Sequence, residues 1–239
     1  MTLEAAGTIA VSSDETKPNV HLSPSDLSQL SLQVYPHTSS PPIPTSTLET
    51  FVDLINAAFS GPIHSANFGS KSRYSSTAEL VDDLNRGEGG WMFLLVSATG
   101  IAVAGAKVTL GGEGMDGGAS EVVFPNPYYT PLPAQGKIYW LGALGSITTG
   151  TGSILLDGIK AFLAQQSPRF TLKAYTVTQW DQGPGGLIQP PEHNALVKWF
   201  ERERFEVVDY AWKEKGTWGS FYGGWLCGIV YTHGAEQKR

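Results

Sequence analysis

The stretch Ser146–Leu163, SITTGTGSILLDGIKAFL, sets a Thr/Gly turn directly before an apolar helical pattern. Such a turn suits phosphate binding. The first backbone N–H groups of a helix have no partner inside it, and small residues let an anion approach them. Three ligands compete for this stretch. Gly145 and Gly150 stand as in G-x-x-x-x-G, but a Walker loop then needs Lys where this chain has Thr151. Without that cation the phosphates of a nucleoside triphosphate lose their counter-charge. Gly150 and Gly152 match the first two positions of G-x-G-x-x-G, but the third falls on Leu155. The strand that follows, FTLKAYTV, also ends without the acidic residue that binds a ribose. The third ligand is a pyrophosphate held by backbone donors, with Thr and Ser hydroxyls beside them. On these residues alone, a ligand-binding turn and a plain strand-to-helix turn are equally open.

Composition narrows the partners. The formal net charge is −6 and no Lys/Arg run occurs, so a nucleic-acid footprint is not expected. The most basic cluster, ERERF, alternates in sign and suits a solvated helix face. Cys227 is the single cysteine, so no intrachain disulfide can form. The N-terminus lacks the basic and apolar regions of a secretory signal, and no apolar run approaches a membrane span. None of the six Asn residues lies in an N-x-[ST] acceptor. The expectation is a cytoplasmic protein without membrane contact. The five histidines, at 21, 37, 64, 193 and 233, lack metal-ligand spacing, so no metal is expected.

The elements that must hold the turn follow from periodicity. Residues 1–30 are polar and read as an N-terminal arm; 31–239 read as one domain. SLQVYP is a strand candidate. STLETFVDLINAAFSG is a helix, with Ser46 and Glu49 as a capping box and Gly61-Pro62 as its stop. Ser76 and Glu79 form a second box before STAELVDDLNRG, with Gly87 as the stop. WMFLLVSA and IAVAGAKVTL read as a hairpin about Thr99-Gly100. EVVF is a short strand candidate, and KIYWLGALG suits a sheet centre buried on both faces. After the turn and its helix come a strand (FTLKAYTV), a loop (WDQGPGGLIQPP), a helix (EHNALVKWFERER) and two strands (FEVVDYAW, WLCGIVYTH). The fold class is therefore α/β (α+β), a mixed sheet with helices on both faces.

The segment HNALVKWFERERFEVVDY resembles the C-terminal signature of the GNAT (Gcn5-related N-acetyltransferase) superfamily: an Asn-led helix, an apolar then aromatic pair, a charged turn and a Phe that starts the next strand. The family's acyl-CoA loop, Gln/Arg-x-x-Gly-x-Gly/Ala, is similar to ITTGTG, Ile147 to Gly152. The resemblance spans roughly Ser31 to His233 and includes the element order. It implies a mostly antiparallel central sheet with a splayed strand pair, KIYWLGAL parting from FTLKAYTV. It implies acetyl-CoA as acyl donor, with its pyrophosphate on backbone N–H groups from Ile147 to Ser153. The implied cofactor-binding set is Leu144, Ile147, Thr148, Thr149, Gly150, Thr151, Gly152, Ser153 and Asn194. A central-strand N–H would polarise the acetyl carbonyl, and a small-molecule amine would attack directly. The implied assembly is a monomer or homodimer, and the acidic surface agrees with a cationic amine.

Four positions depart from the family pattern. Ile147 replaces Gln/Arg, Phe200 replaces the Tyr that serves as general acid, and Arg204 replaces the Gly that ends the helix. The Asn position falls on His193 or Asn194. The same resemblance therefore leaves open an acyl-CoA-binding or regulatory protein that transfers no acetyl group. Tyr139, Asp181 and Tyr222 are the catalytic candidates for proton transfer, with Glu121 and Tyr231 also considered. Against them stand ordinary roles: a packed ring for Tyr139, a turn for Asp181, a strand start for Glu121. Trp218 and Tyr222, in the aromatic run AWKEKGTWGSFYGGW, are the substrate-binding candidates; the other rings of that run are expected to cover the core. GPIHSANFGSKSRY reads as a loop and the other implied substrate wall.

Overall fold

A computed structural model of the protein describes residues 29–38, 42–69, 71–111, 122–130, 136–181 and 193–234, without the side chains of residues 63, 122, 123, 179–181 and 218. Most of the N-terminal arm, Glu121, and nearly all of the loop after FTLKAYTV lie outside the described residues.

Eight strands form one open sheet in the order β1-β2-β3-β5-β6-β8-β7-β4. They are β1 (Ser31–Pro36), β2 (Gly89–Val96), β3 (Ala102–Leu110), β4 (Val122–Pro125), β5 (Lys137–Ser146), β6 (Phe170–Asp181), β7 (Glu206–Lys213) and β8 (Gly223–His233). Every pairing is antiparallel except β5 with β6. The β2–β3 hairpin turns at Thr99-Gly100, where Gly100 takes φ +83°. β4 lies at the far edge beside β7, so the β3–β5 connection reaches across the second half of the sheet.

Helices α1 (Thr45–Phe59), α2 (Pro62–Phe68), α3 (Thr77–Leu84), α4 (Thr151–Gln166) and α5 (Ala195–Arg202) complete the domain. The sheet separates two cores. Leu155, Leu156, Ile159 and Leu163 of α4 and Val197 and Phe200 of α5 pack with Phe93, Val103, Tyr139 and Leu172. On the other face, Phe51, Leu54 and Ile55 of α1 and Leu80 and Leu84 of α3 pack with Met92, Leu94 and Ala143. Adjacent residues of β2 thus enter opposite cores, which is why its run is continuously apolar.

Three local expectations are corrected. The Ser46/Glu49 capping box does not form: α1 starts at Thr45 behind Pro44, whose carbonyl accepts from Thr47 N (3.0 Å) and Leu48 N (3.1 Å). Pro62 does not only stop α1; it opens α2 at a position where its missing N–H is harmless. α3 stops at Leu84 with Asn85 as its cap, before Gly87. The Ser76 cap does form, accepting from Glu79 N at 3.2 Å, while the Glu79 carboxylate takes Ser75 N at 2.7 Å.

A buried ion pair fixes α3 to β3. Lys107 Nζ meets Asp83 Oδ2 at 2.5 Å, and Tyr74 OH donates to the same oxygen at 2.8 Å. Burial opposes the charge on Asp83, but Lys107 and Tyr74 together hold its carboxyl below the ordinary range.

Arg204, at the family's glycine position, takes φ +68°. Phe205 N bonds Phe200 O at 3.0 Å across it, a Schellman closure of α5. A side chain is strained there, so Arg204→Gly is expected to stabilise the fold by about 1 kcal/mol, after allowing for the added freedom of the unfolded chain. Urea denaturation of both proteins checks this; an unchanged or lower midpoint refutes it.

Candidate functional site

β5 and β6 hydrogen-bond as parallel neighbours over only four positions, from Lys137↔Phe170 to Trp140↔Lys173. Beyond Trp140 the two strands part. On its other side β5 stays paired with β3, but with a bulge: Gly142 faces Lys107 and Gly145 faces Gly105. Ala143, inside the bulge, takes φ +49°. Bulges of this kind re-aim main-chain groups. Here they lie along the edge of β5 that β6 has left.

A cleft of about 410 Å³ opens at that end of β5. Its walls are Ala57 and Ala58 of α1, Leu144–Ser146, the turn Ile147–Gly150, Gly152 and Ser153 of α4, and Leu196 and Trp199 of α5. Seven of the nine cofactor-binding candidates therefore line one cleft: Leu144, Ile147, Thr148, Thr149, Gly150, Gly152 and Ser153. Ala57, Ala58, Leu196 and Trp199 were not anticipated. The spacing of Leu196 and Trp199, one turn apart on the Asn-led helix, is the signal that would have found two of them.

The turn is wired from within. Thr151 is fully buried, and its hydroxyl donates to Thr148 O at 2.7 Å and meets Ser146 Oγ at 2.7 Å. Ser146 Oγ also reaches Thr148 O at 2.7 Å. Thr151 therefore holds the turn and does not face the cleft. Asn194 caps α5, accepting from Leu196 N (3.0 Å) and Val197 N (2.9 Å) and donating to Val177 O (2.8 Å). It sets α5 against β6 and so places Leu196 and Trp199, but it does not line the cleft.

The donor set is smaller than the seven N–H groups implied by the sequence. Ile147 N bonds Val103 O and Thr151 N bonds Thr148 O. Ser153 Oγ accepts from Trp199 Nε1 at 3.2 Å and donates to Glu203 Oε1 at 2.6 Å. The cleft-lining residues run along the turn to Gly150, at φ +85°, and on to Gly152 and Ser153 in the first turn of α4, where backbone N–H groups have no partner within the helix. Among the described residues no lining residue is a Lys or Arg. Glu203, which holds Ser153, also meets Lys160, whose Nζ donates to the Glu203 main-chain carbonyl at 2.9 Å and lies 3.8 Å from its Oε2. A Cβ on Gly150 would meet open space, and one on Gly152 would meet Trp199 Cζ2 at 3.7 Å. Those openings and the helix dipole fit a pyrophosphate.

The catalytic candidates do not converge on the cleft. Tyr139 lies in the paired part of β5, edge-on to Trp91 and Phe170, and its fully buried ring belongs to the α4 core. Burial pushes its hydroxyl pKa up. It packs in that core and is not among the residues that line the cleft. Asp181 ends β6 opposite Gly223, and its side chain lies outside the described part, as does that of Trp218. Tyr222 is 53% exposed, outside the cleft. Its neighbour Phe221 donates its N–H to Asn67 O at 2.7 Å, so the β7–β8 loop is clasped to α2. Phe200, at the family's Tyr position, is packed between Trp199 and Phe205. Trp212 and Trp225 are core rings, as expected for most of the aromatic run. Among the described residues no three His, Cys, Asp or Glu side chains gather as a metal site, and no helix is long and apolar enough to cross a membrane.

Two substitutions probe the cleft. Gly152→Leu is expected to fill it and weaken CoA binding by about a hundredfold, while Gly152→Ala changes it by less than about threefold; isothermal titration reads both. Glu203→Gln keeps an acceptor for Ser153 and removes a negative charge beside the helix N-terminus. Binding of ADP, a diphosphate probe, is expected to tighten several-fold, more so at low salt.

No family model and no curated protein sequence matches the chain. Solved structures do resemble it. A spermidine N-acetyltransferase from Vibrio cholerae, solved with CoA and spermine, aligns at 11% identity over 86% of this chain and 96% of its own, with a TM-score of 0.48. A GNAT-family acetyltransferase from Streptococcus agalactiae aligns at 10% identity over 86% and 96%, also with a TM-score of 0.48. NAA60 of Arabidopsis thaliana, solved with acetyl-CoA, aligns at 13% identity over 84% and 99%, with a TM-score of 0.45.

Proposed function

We propose that the chain is a GNAT-like, acetyl-CoA-dependent N-acetyltransferase acting on the amine of a small molecule. The observation that carries the reading is a coincidence of place. The strand pair parts after Trp140 and Lys173, and a cleft built on a helix N-terminus opens at the same end of β5. In this reading the N–H groups around Gly150, Gly152 and Ser153 hold the pyrophosphate of CoA. Leu144, Leu196 and Trp199 offer apolar walls to its pantetheine arm. A main-chain N–H on the freed edge of β5 polarises the acetyl carbonyl.

The neutral amine then forms the C–N bond, the C–S bond breaks, and the electron pair leaves on sulfur. The proton lost by nitrogen passes to water, and the thiolate takes one back. A thiol is far more acidic than an alcohol, so the thiolate is a fair leaving group without a dedicated acid. This accommodates Phe200. Tyr222 and Asp181 stay as proposed proton carriers. The same reading carries a monomer or homodimer, a cytoplasmic location and no metal.

One observation favours the second reading, an acyl-CoA-binding or regulatory protein: among the described residues no titratable side chain lines the cleft. Titration with acetyl-CoA, followed by turnover across an amine panel, separates the two. Binding with turnover is the expected result. Binding without turnover on any amine selects the second reading, and absence of binding overturns both.

A further inference from the structure

The half of β5 that has parted from β6 is gripped at two glycines. At Gly145 a Cβ would lie 2.8 Å from the Ala58 Cβ and 3.0 Å from Ile55 Cδ1, so α1 sits directly on the strand. At Gly142 a Cβ would lie 2.8 Å from Lys107 Cε, 3.5 Å from its Cγ and 3.7 Å from its Cδ, so the Lys107 stem runs across the strand. Gly142 does not take a positive φ, so space and not backbone conformation calls for glycine there. Between the two grips lies Ala143, buried and at φ +49°. A side chain in that conformation is strained, and it persists only where the surroundings over-determine it.

The two grips belong to one network. Lys107 Nζ reaches Asp83 twice, at Oδ2 and at the main-chain carbonyl (3.2 Å). Tyr74 OH donates to the same carboxylate oxygen. The Tyr74 main chain is held in turn by Asn56 of α1, whose side chain accepts from Tyr74 N and donates to Tyr74 O, both at 2.9 Å. A continuous path therefore runs from the bulge through Lys107, Asp83, Tyr74 and Asn56 to α1, and α1 returns to the strand at Gly145. Ala57 and Ala58, next along α1, line the cleft. Lys107, Asp83 and Tyr74 are all buried. An apolar pair of the same volume often holds a core as well as a buried ion pair does, so packing alone does not account for Lys107. What the ion pair adds is direction: it fixes where the stem lies on the strand.

We infer that Lys107 is a positioning residue for acetyl transfer. Its stem, anchored at Asp83, fixes the Ala143 bulge and so the aim of the main-chain N–H groups on the free edge of β5. The inference rests on the acetyltransferase reading above, in which one of those groups polarises the acetyl carbonyl. Lys107 acts through the backbone and not on the substrate. A misplacement of about 1 Å in such a donor costs about a hundredfold in rate.

The test follows the thioester carbonyl itself. Isotope-edited infrared spectroscopy of acetyl-CoA labelled at its carbonyl carbon reads the stretching frequency on the protein. Two variants loosen the grip without leaving a lone buried charge: Lys107→Met combined with Asp83→Asn, and Gly142→Ala, which crowds the stem. Thermal unfolding checks that each is folded, and either one decides alone. In the wild-type protein the carbonyl is expected below the frequency of free acetyl-CoA. In both variants it is expected to return toward that frequency, with CoA affinity changed by less than about threefold. For any amine that the wild-type protein turns over, kcat is expected to fall about a hundredfold with KM unchanged, a split that loss of stability alone does not produce. An unshifted carbonyl in the wild-type protein, or a lowered one that survives in either folded variant, overturns the inference and leaves the acetyltransferase reading standing. Failure to bind acetyl-CoA overturns both.

Discussion

The rest of the structure depends on a pairing that stops. β5 and β6 share only four registered positions, and the cleft opens at the end of β5 where they have parted. A parallel pair in mid-sheet would ordinarily continue, because each lost register leaves main-chain groups to be satisfied otherwise. Here β5 stays paired with β3, and β6 with β8, beyond the point where they part from each other. The bulge at Ala143 belongs to the same arrangement. It bends the half of β5 that has lost its neighbour, and Gly145 lets α1 approach that half closely: a Cβ there would sit 2.8 Å from the Ala58 Cβ.

Electrostatically, the cleft and the opening differ. The cleft is lined by main chain, hydroxyls and apolar groups, and Glu203, which holds Ser153, is tied to Lys160 as well. Beside the opening lies a buried ion pair: the Lys107 stem crosses Gly142 and ends on Asp83.

Much of this was legible in the sequence. Ser146–Ser153 announced a strand, a glycine turn and a helix start, and these form as expected. The helix EHNALVKWFERER was visible too, but the sequence left its Asn position open between His193 and Asn194; the structure makes Asn194 the cap. What was not legible has physical reasons. Whether a Thr or Ser hydroxyl faces a ligand or its own turn depends on tertiary placement, and Thr151 and Ser153 are both satisfied internally. Pro62 reads as a stop or a start with equal chemistry. Tyr139 and Lys107 both sit in apolar strand patterns; only the packed sheet shows one ring in the core and one ammonium paired with Asp83. Arg204 takes the left-handed backbone that favours glycine, which its residue type does not announce.

The placement of β4 bears on how the molecule assembles. Asn126, just past β4, donates through its side chain to Val207 O across 81 positions of chain, and Asn126 N bonds Val208 O. Until that long-range contact closes, the outer edge of β7 presents an open ladder, the surface on which strands of separate molecules pair. Contacts of such sequence separation form slowly. Pairing with β4 and the Asn126 bonds therefore cover the ladder of β7 that another strand could otherwise meet, leaving the short β4 as the edge.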